Sequence, residues 1–206
     1  MPKIRQHVNP LKSDLLTIAA VPRIGSPPGG ALEVELGSAE SLFLIERARL
    51  VGDVGLVGVE IRREMVVRAD RLCAEAGVAG IHNVFANMSV DLPRLFAPAS
   101  VSCFHINFPD PWFKSRQHKR RVVGPALVDD MAAALVPEGT VSVMTDIFDI
   151  ALEAMAVLES DPLHRFANAV SPWSFLARNP WGARSRREKQ CEWENTKIWR
   201  LRYRRN

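Results

Sequence analysis

Five short apolar runs recur along the chain with room for one helix between neighbours, and this alternation restricts the fold more than any other feature. They are ALEVEL (31–36), VGLVGVEI (54–61), GIHNVFAN (80–87), VSCFHINF (101–108) and TVSVMTD (140–146). The run at 101–108 suits a strand covered on both faces. Between them lie helical patterns: ESLFLIERARL with Leu42, Phe43 and Ile45 inward, and RREMVVRADRLCAEAG closed by Gly77. GPALVDDMAAALVPEG is expected to end near Pro137 and Gly139, and IFDIALEAMAVLES follows the fifth run. HRFANAV (164–170) and KIWRLRYRR (197–205) read as two final strands, the last with Ile198 and Arg200, or their alternates, inward. Strands alternating with helices of about ten to fifteen residues predict right-handed βαβ units in an α/β, doubly wound, seven-stranded sheet.

A length of 206 residues suits one ordinary domain, expected over residues 31–206. Residues 1–30, rich in Pro and Gly, are expected to form an N-terminal extension with partial mobility. LLTIAAV, among the longer apolar runs, is far too short to span a membrane, so no membrane partner is expected. MPKIRQHVNPLKSD lacks the apolar core of a secretory signal. Cys73, Cys103 and Cys191 are odd in number and widely spaced, which fits a reducing, cytoplasmic setting and neither a disulfide framework nor a metal knuckle. The net charge of +4 is unevenly distributed. Lys114 to Arg121 holds five cations and no acid, and nine more lie from Arg184 onward against three glutamates. Two basic clusters in a nearly balanced chain point to a polyanion-binding face, the plain alternative being a solvated surface with loose ion pairs.

In doubly wound sheets ligands bind beyond the carboxyl ends of the strands. That rule selects Glu35 to Ser41, Glu60, Asn87, Phe108 to Trp112, and Thr145 with Asp146. Gly37 follows one strand and opens a helix, where its permissive backbone allows a tight turn, although an ordinary βα turn would look the same. Ala39 and Ser41 stand where a nucleotide fingerprint has glycines. Glu60 ends the second strand and can accept both ribose hydroxyls, or alternatively cap the next helix. The Asn87 amide can pair with an adenine edge. Glu33, Glu35 and Glu40 around the turn would repel a pyrophosphate and suit a positively charged nucleoside such as S-adenosylmethionine.

The remaining rim segment is HINFPDPWFKSRQHKRR, His105 to Arg121. Pro109 and Pro111 stiffen the chain on either side of Asp110. Trp112 offers a face for stacking a base, and Lys114, Arg116, Lys119, Arg120 and Arg121 can bind phosphates. The competing reading makes Trp112 a core residue and the cations the start of a solvated helix.

NFPDPWFKSRQHKRR closely resembles the signature of the tRNA (guanine-N7-)-methyltransferase family, and the resemblance runs from about Leu32 to Arg205. LEVELGSAESLFL is similar to the family's cofactor turn, VGVEI to its ribose-binding strand and MTDIFD to its T-D segment. SRREKQCEWENTKIWRLRYRR is similar to its T-x-x-E element and closing strand. The resemblance implies the class I methyltransferase fold: Rossmann-like, mostly parallel, seven-stranded, with an antiparallel C-terminal strand. It also implies methyl transfer from S-adenosylmethionine to N7 of guanine 46 in the tRNA variable loop. Carried over, cofactor contacts fall on Glu33, Gly37, Glu60, Asn87 and Asp110. Guanine recognition and the catalytic positions fall on Asp110, Lys114, Asp146 and Glu188, with Ser185 in the hydroxyl position. Asn87 stands where the family commonly has aspartate. The T-x-x-E element is matched to Ser185–Glu188, with Thr196–Trp199 as a competing register.

Guanine N7 carries a free lone pair and needs no deprotonation, so the expected task is positioning and electrostatics, with no histidine base and no metal. His105 is expected as a strand residue and His118 as a phosphate or surface residue. Other readings are methylation of an exocyclic base amine, an RNA-binding homologue with impaired catalysis, and an NAD-type oxidoreductase, the last disfavoured by the acidic turn. A monomer and a homodimer are both compatible with the sequence.

Overall fold

The computed structural model describes residues 8–18, 22–25 and 30–206; residues 1–7, 19–21 and 26–29 of the N-terminal extension lie outside the described residues. In chain order the helices are α1 (Ser13–Leu16), α2 (Leu42–Ala48), α3 (Arg63–Glu75), α4 (Met88–Leu95), α5 (Pro125–Ala134), α6 (Phe148–Glu159) and α7 (Arg186–Trp193). The strands are β1 (Ala31–Leu36), β2 (Val54–Glu60), β3 (Ile81–Phe85), β4 (Val101–Asn107), β5 (Leu135–Thr145), β6 (Phe166–Asn168) and β7 (Trp199–Arg205). A 3₁₀ helix spans Ser115–Arg120.

All seven strands form one sheet in the order β3-β2-β1-β4-β5-β7-β6. The pairs among β1 to β5 are parallel, and β7 runs antiparallel to both β5 and β6. The order reverses between β1 and β4, and the chain therefore opens a crevice above their carboxyl ends.

Alternation along β1 decides what the site can contain. Leu32, Val34 and Leu36 enter the main core with β4 residues Phe104 and Ile106 and with apolar residues of α4, α5 and α6. Each fully buried side chain of this size contributes about 1.5–3 kcal/mol. Glu33 and Glu35 necessarily turn to the opposite face, and both are buried there. That face is covered by a second cluster of Phe43, Leu44, Leu56 and Ala183, with Trp181 packed against it. On β7 the buried pair is Leu201 and Tyr203, which settles the facing of that strand; Ile198 lies just before it.

Three differences from the sequence expectations have local causes. Helix α5 stops at Ala134 and β5 begins at Leu135, five residues before the expected Thr140. Val101 pairs with Leu135 but Cys103 pairs with Thr140, so β5 bulges around Glu138, whose φ is 64°. Helix α4 escaped notice because Pro93 sits inside it, yet the Asn87 side chain caps it by accepting from the Ser89 N–H at 3.1 Å. Helix α7 buries only Glu188 and Cys191, so it shows no apolar stripe. Cys73, Cys103 and Cys191 are all free and buried. No helix among the described residues is long and apolar enough to cross a membrane.

Candidate active site

A cleft of about 760 Å³ lies above the ends of β1, β2, β4 and β5, bordered among others by Gly37, Glu60, Asp110, Trp112 and Asp146. Gly37 has φ 81°, and its N–H donates to the Val59 carbonyl at 2.8 Å, which folds the turn tightly over β2. Ala39 (φ 49°) and Ser41 (φ 55°) also occupy left-handed backbone. The turn thus keeps the shape that glycines favour while carrying side chains, at a cost of about 1–2 kcal/mol per residue. Two bonds help hold it: the Ala39 N–H donates to Glu60 Oε2 at 2.9 Å, and Ser41 Oγ donates to Asn83 Oδ1 at 2.5 Å.

Glu60 is buried at the end of β2. Its Oε1 accepts from the Arg62 N–H (2.9 Å) and Arg62 Nε (2.8 Å), and its Oε2 from Arg62 Nη2 (2.9 Å). Asn87 also lines the cleft, but Nδ2 donates to the carbonyls of Pro10 (2.9 Å) and Leu15 (3.1 Å), so the amide fastens the described part of the N-terminal extension. Asp110 lies in a constrained loop: Phe108 and Trp112 on either side of it have φ of 51° and 43°. Left-handed backbone at two bulky residues is uncommon and is found where a loop is held for a function.

Asp146 follows β5, and its Oδ2 is 2.6 Å from Arg187 Nη2 of α7. Ser185 caps α7 by accepting from the Glu188 N–H at 3.2 Å. The Ser185–Glu188 register therefore places the hydroxyl at a helix start on the cleft wall, whereas Trp199 of the competing register opens β7. Glu188 itself does not line the cleft. It is 0% exposed and accepts from Arg200 Nη2 (2.9 Å) and from Asn179 Nδ2 (3.0 and 3.1 Å).

Glu33 likewise points away from the cleft. It accepts from Arg47 Nη2 (2.7 Å) and Nε (2.9 Å) and meets His105 Nε2 at 3.0 Å. Burial alone would raise this carboxyl, but the Arg47 and His105 hydrogen bonds outweigh it and bring it down to about 2. His105 is fully buried between Phe43 and Trp181. Burial opposes its charged form, while Cys103 and the Glu33 carboxylate raise it. This network ties β1, β4, α2 and the Trp181 segment together and leaves His105 without access to the cleft.

The predicted phosphate binders divide into three kinds. Lys114, Arg116 and Lys119 are exposed. Arg120 borders the cleft and lies over the Trp112 ring at 5.0 Å. Arg121 donates to the Pro111 carbonyl at 3.0 Å and pairs with Glu153, which anchors the loop. The C-terminal cations also largely find acids: Arg186 pairs with Glu40, Lys189 with Glu46, and Arg204 with Glu138.

Sequence reasoning placed Glu35 on the rim and among the acids that suit a cationic nucleoside, but assigned it no individual cofactor contact. It is 3% exposed, lines the cleft, and accepts from Asn107 Nδ2 at 2.9 Å through Oε1. Its Oε2 is buried with no hydrogen-bond partner among the described residues. Arg62 and Arg187, which neutralise two rim acids, were likewise not singled out. The lining suits a cationic nucleoside donor, because Glu35, Glu40, Glu60, Asp110 and Asp146 border it and an orphaned carboxylate oxygen lies within it.

A family model with the description "Putative methyltransferase" (Methyltransf_4) matches residues 30–201. The tRNA (guanine-N(7)-)-methyltransferase of Synechococcus sp. (strain JA-3-3Ab) is 38% identical over 192 residues, 92% of this chain and 80% of that protein. The chain belongs to the tRNA (guanine-N7-)-methyltransferase family. Another member, from Thermosynechococcus vestitus, is 35% identical over 91% of this chain and 87% of that protein. Among solved structures, the 16S rRNA methyltransferase KamB superposes with a TM-score of 0.61 at 14% identity, covering 85% of this chain and 88% of that one. A SAM-dependent methyltransferase from Aquifex aeolicus gives 0.58 at 10% identity, covering 85% and 81%. Both likenesses carry the fold alone. Within the family frame, the Gly37 turn, Glu60, Asn87, the Phe108–Trp112 loop, Asp146 and Ser185 meet at one cleft, while Glu33 and Glu188 lie behind it.

Proposed function

We propose that this protein transfers a methyl group from S-adenosylmethionine to N7 of a guanine in tRNA, with guanine 46 of the variable loop as the target. The observation that supports this most is the meeting, in a chain of this family, of the acidic rim with Trp112 and Arg120 at one cleft. Glu60 takes the ribose hydroxyls, which requires Arg62 to give up part of its hold on that carboxylate. Gly37 lets the backbone approach the donor, and Asn87 borders the adenine end. When bound, S-adenosylmethionine supplies an electrophilic methyl group.

The protein's own residues then position the base. Asp146 is the acceptor for the guanine N1–H and N2–H₂ donors, a contact that strengthens as methylation makes the base cationic. Asp110 stands between the donor site and the base. Trp112 provides the stacking face for a base taken out of its helix stack. Lys114, Arg116 and Lys119 meet the phosphates, and Arg120 extends that surface to the cleft edge. Ser185 contributes a hydroxyl on the cleft wall, and Glu188 positions α7 by holding Asn179 and Arg200. No proton is removed before attack, consistent with the enclosure of His105. A cytoplasmic setting, where tRNA and reduced cysteines coexist, accords with the same reading.

The test is incubation of the purified protein with unmodified tRNA and methyl-labelled S-adenosylmethionine, followed by mapping of the label. The expected product is 7-methylguanosine at position 46. Asp146→Asn is expected to lower kcat/KM by about 10²–10³ while leaving the fold intact. Label on an exocyclic amine, or undiminished turnover by the variant, would reject the assignment.

A further inference from the structure

We propose that Phe113 acts as a wedge: its ring enters the tRNA stack at the gap that the target guanine leaves when it moves into the cleft. This role rests on the tRNA reading above and adds to it the group that keeps the stack open.

Exposure is the first support. Phe113 is 72% exposed, and it alone among the exposed large apolar side chains of the described residues lines the cleft. Trp193 (87%) and Leu163 (70%) do not line it. The Phe113 ring belongs to none of the apolar clusters and has no aromatic or cationic partner among the described residues. A ring so placed meets whatever enters the cleft.

The loop presents this ring rigidly. Pro109 and Pro111 restrict the chain, and Phe108 and Trp112 hold left-handed φ of 51° and 43°. Arg121 donates to the Pro111 carbonyl at 3.0 Å and pairs with Glu153. Trp112, the neighbouring aromatic residue, is half-buried and has Arg120 over its ring at 5.0 Å. The two rings are therefore placed for different tasks. Trp112 lies along the cleft wall, where the extruded guanine goes. Phe113 stands at the mouth, where the stack it left remains. An apolar ring inserted between bases holds a nucleic acid open without reading its sequence.

The surroundings of Phe113 select a nucleic acid over an apolar partner. Lys114, Arg116 and Lys119 beside it are exposed, and residues 114–121 contain no acid. Such a surface draws a polyanion, and a backbone held by these cations brings base faces to the ring. Taking a base out of its stack is unfavourable. A flat ring that fills the gap restores stacking to the bases left behind.

Methylation kinetics of Phe113→Ala on two substrates test this. One is unmodified tRNA. The other is the same tRNA with abasic nucleotides on both sides of the target guanine, so that no neighbouring stack has to be opened. On intact tRNA the variant is expected to lose about ten- to a hundredfold in kcat, the ~1.4–2.7 kcal/mol that a stacked base supplies. Its tRNA Kd is expected to stay within about twofold and its salt slope to be unchanged, because the phosphate contacts remain. On the abasic tRNA, wild type and variant are expected to turn over alike. Phe113→Trp, which keeps a flat ring, is expected to recover most of the loss on intact tRNA. An equal loss on both substrates would make the ring a support of the loop, and an undiminished kcat on intact tRNA would leave it no part in opening the stack; either result overturns the wedge alone. A wild type that methylates no guanine in either RNA would remove the tRNA reading itself, and the wedge with it.

Discussion

Glu35 makes a prediction about the unliganded protein that needs no substrate. A carboxyl held near 7 against an ordinary value of 4.5 ionises in the unfolded chain from about pH 4.5 upward but stays protonated in the folded one to about 7. Over that window the folded state holds the extra proton, so stability falls as pH rises, by about 1.4 kcal/mol per pH unit. Between pH 5 and pH 8 this one site therefore costs the wild type about 2–3 kcal/mol. Glu35→Gln cannot ionise, and its carbonyl can still accept from Asn107. The variant is expected to lie within about 1 kcal/mol of wild type at pH 5 and to be about 2 kcal/mol more stable at pH 8. His105, raised to about 9 against 6.5, also loses stability as pH climbs through that range. That loss is common to both proteins and cancels in their difference. Glu33, brought down to about 2, keeps its contribution above about pH 4.5 and loses it only as pH falls toward 2. Urea unfolding at pH 5, 6, 7 and 8, followed by tryptophan fluorescence, gives the two curves. Parallel curves would refute the claim that burial keeps Glu35 protonated, since no other group differs between the proteins.

Two further outcomes separate binding surfaces from scaffolding. Replacing Lys114, Arg116 and Lys119 together by Ala is expected to leave stability within about 0.5 kcal/mol and to reduce the salt slope of tRNA binding by about one for each phosphate no longer neutralised; an unchanged slope would place the RNA elsewhere. Glu188→Ala strands Arg200, whose side chain is only 12% exposed, and is expected to cost about 3 kcal/mol or more, with activity falling alongside stability in thermal melts; lost turnover at full stability would instead make Glu188 a group that touches substrate.

The strand pattern was legible because it is local. β1 was expected over residues 31–36 and is found there, and β2, β4 and the start of β7 lie within about two residues of expectation. What escaped were elements whose signals conflict or are weak. Pro93 masks α4, and α7 has a polar sequence that carries no apolar period. The early start of β5 depends on a bulge opposite β4, and nothing in the residues 135–139 alone reveals a partner strand.

Which acids face the cleft is a harder matter, because it is decided by partners far away in the chain. Glu33 and Glu35 share one face of β1 and look alike in sequence. Glu33 is claimed by Arg47, fourteen residues on, and by His105, seventy-two residues on. The one hydrogen-bond partner of Glu35 among the described residues is an uncharged amide, Asn107, two residues beyond His105 on β4. A carboxylate with a guanidinium partner is already compensated and contributes little attraction to an incoming cation. One paired through a single neutral donor retains that attraction, and burial strengthens it. The resemblance put a cofactor contact on Glu33, because motif matching reads spacing along the chain and is blind to partners across the sheet. The charge that a donor meets is set by cross-strand pairing and by the arginines that α2, α3 and α7 bring to the rim. In this chain those long-range pairings leave the second glutamate of β1, rather than the first, facing the space where a cationic donor fits.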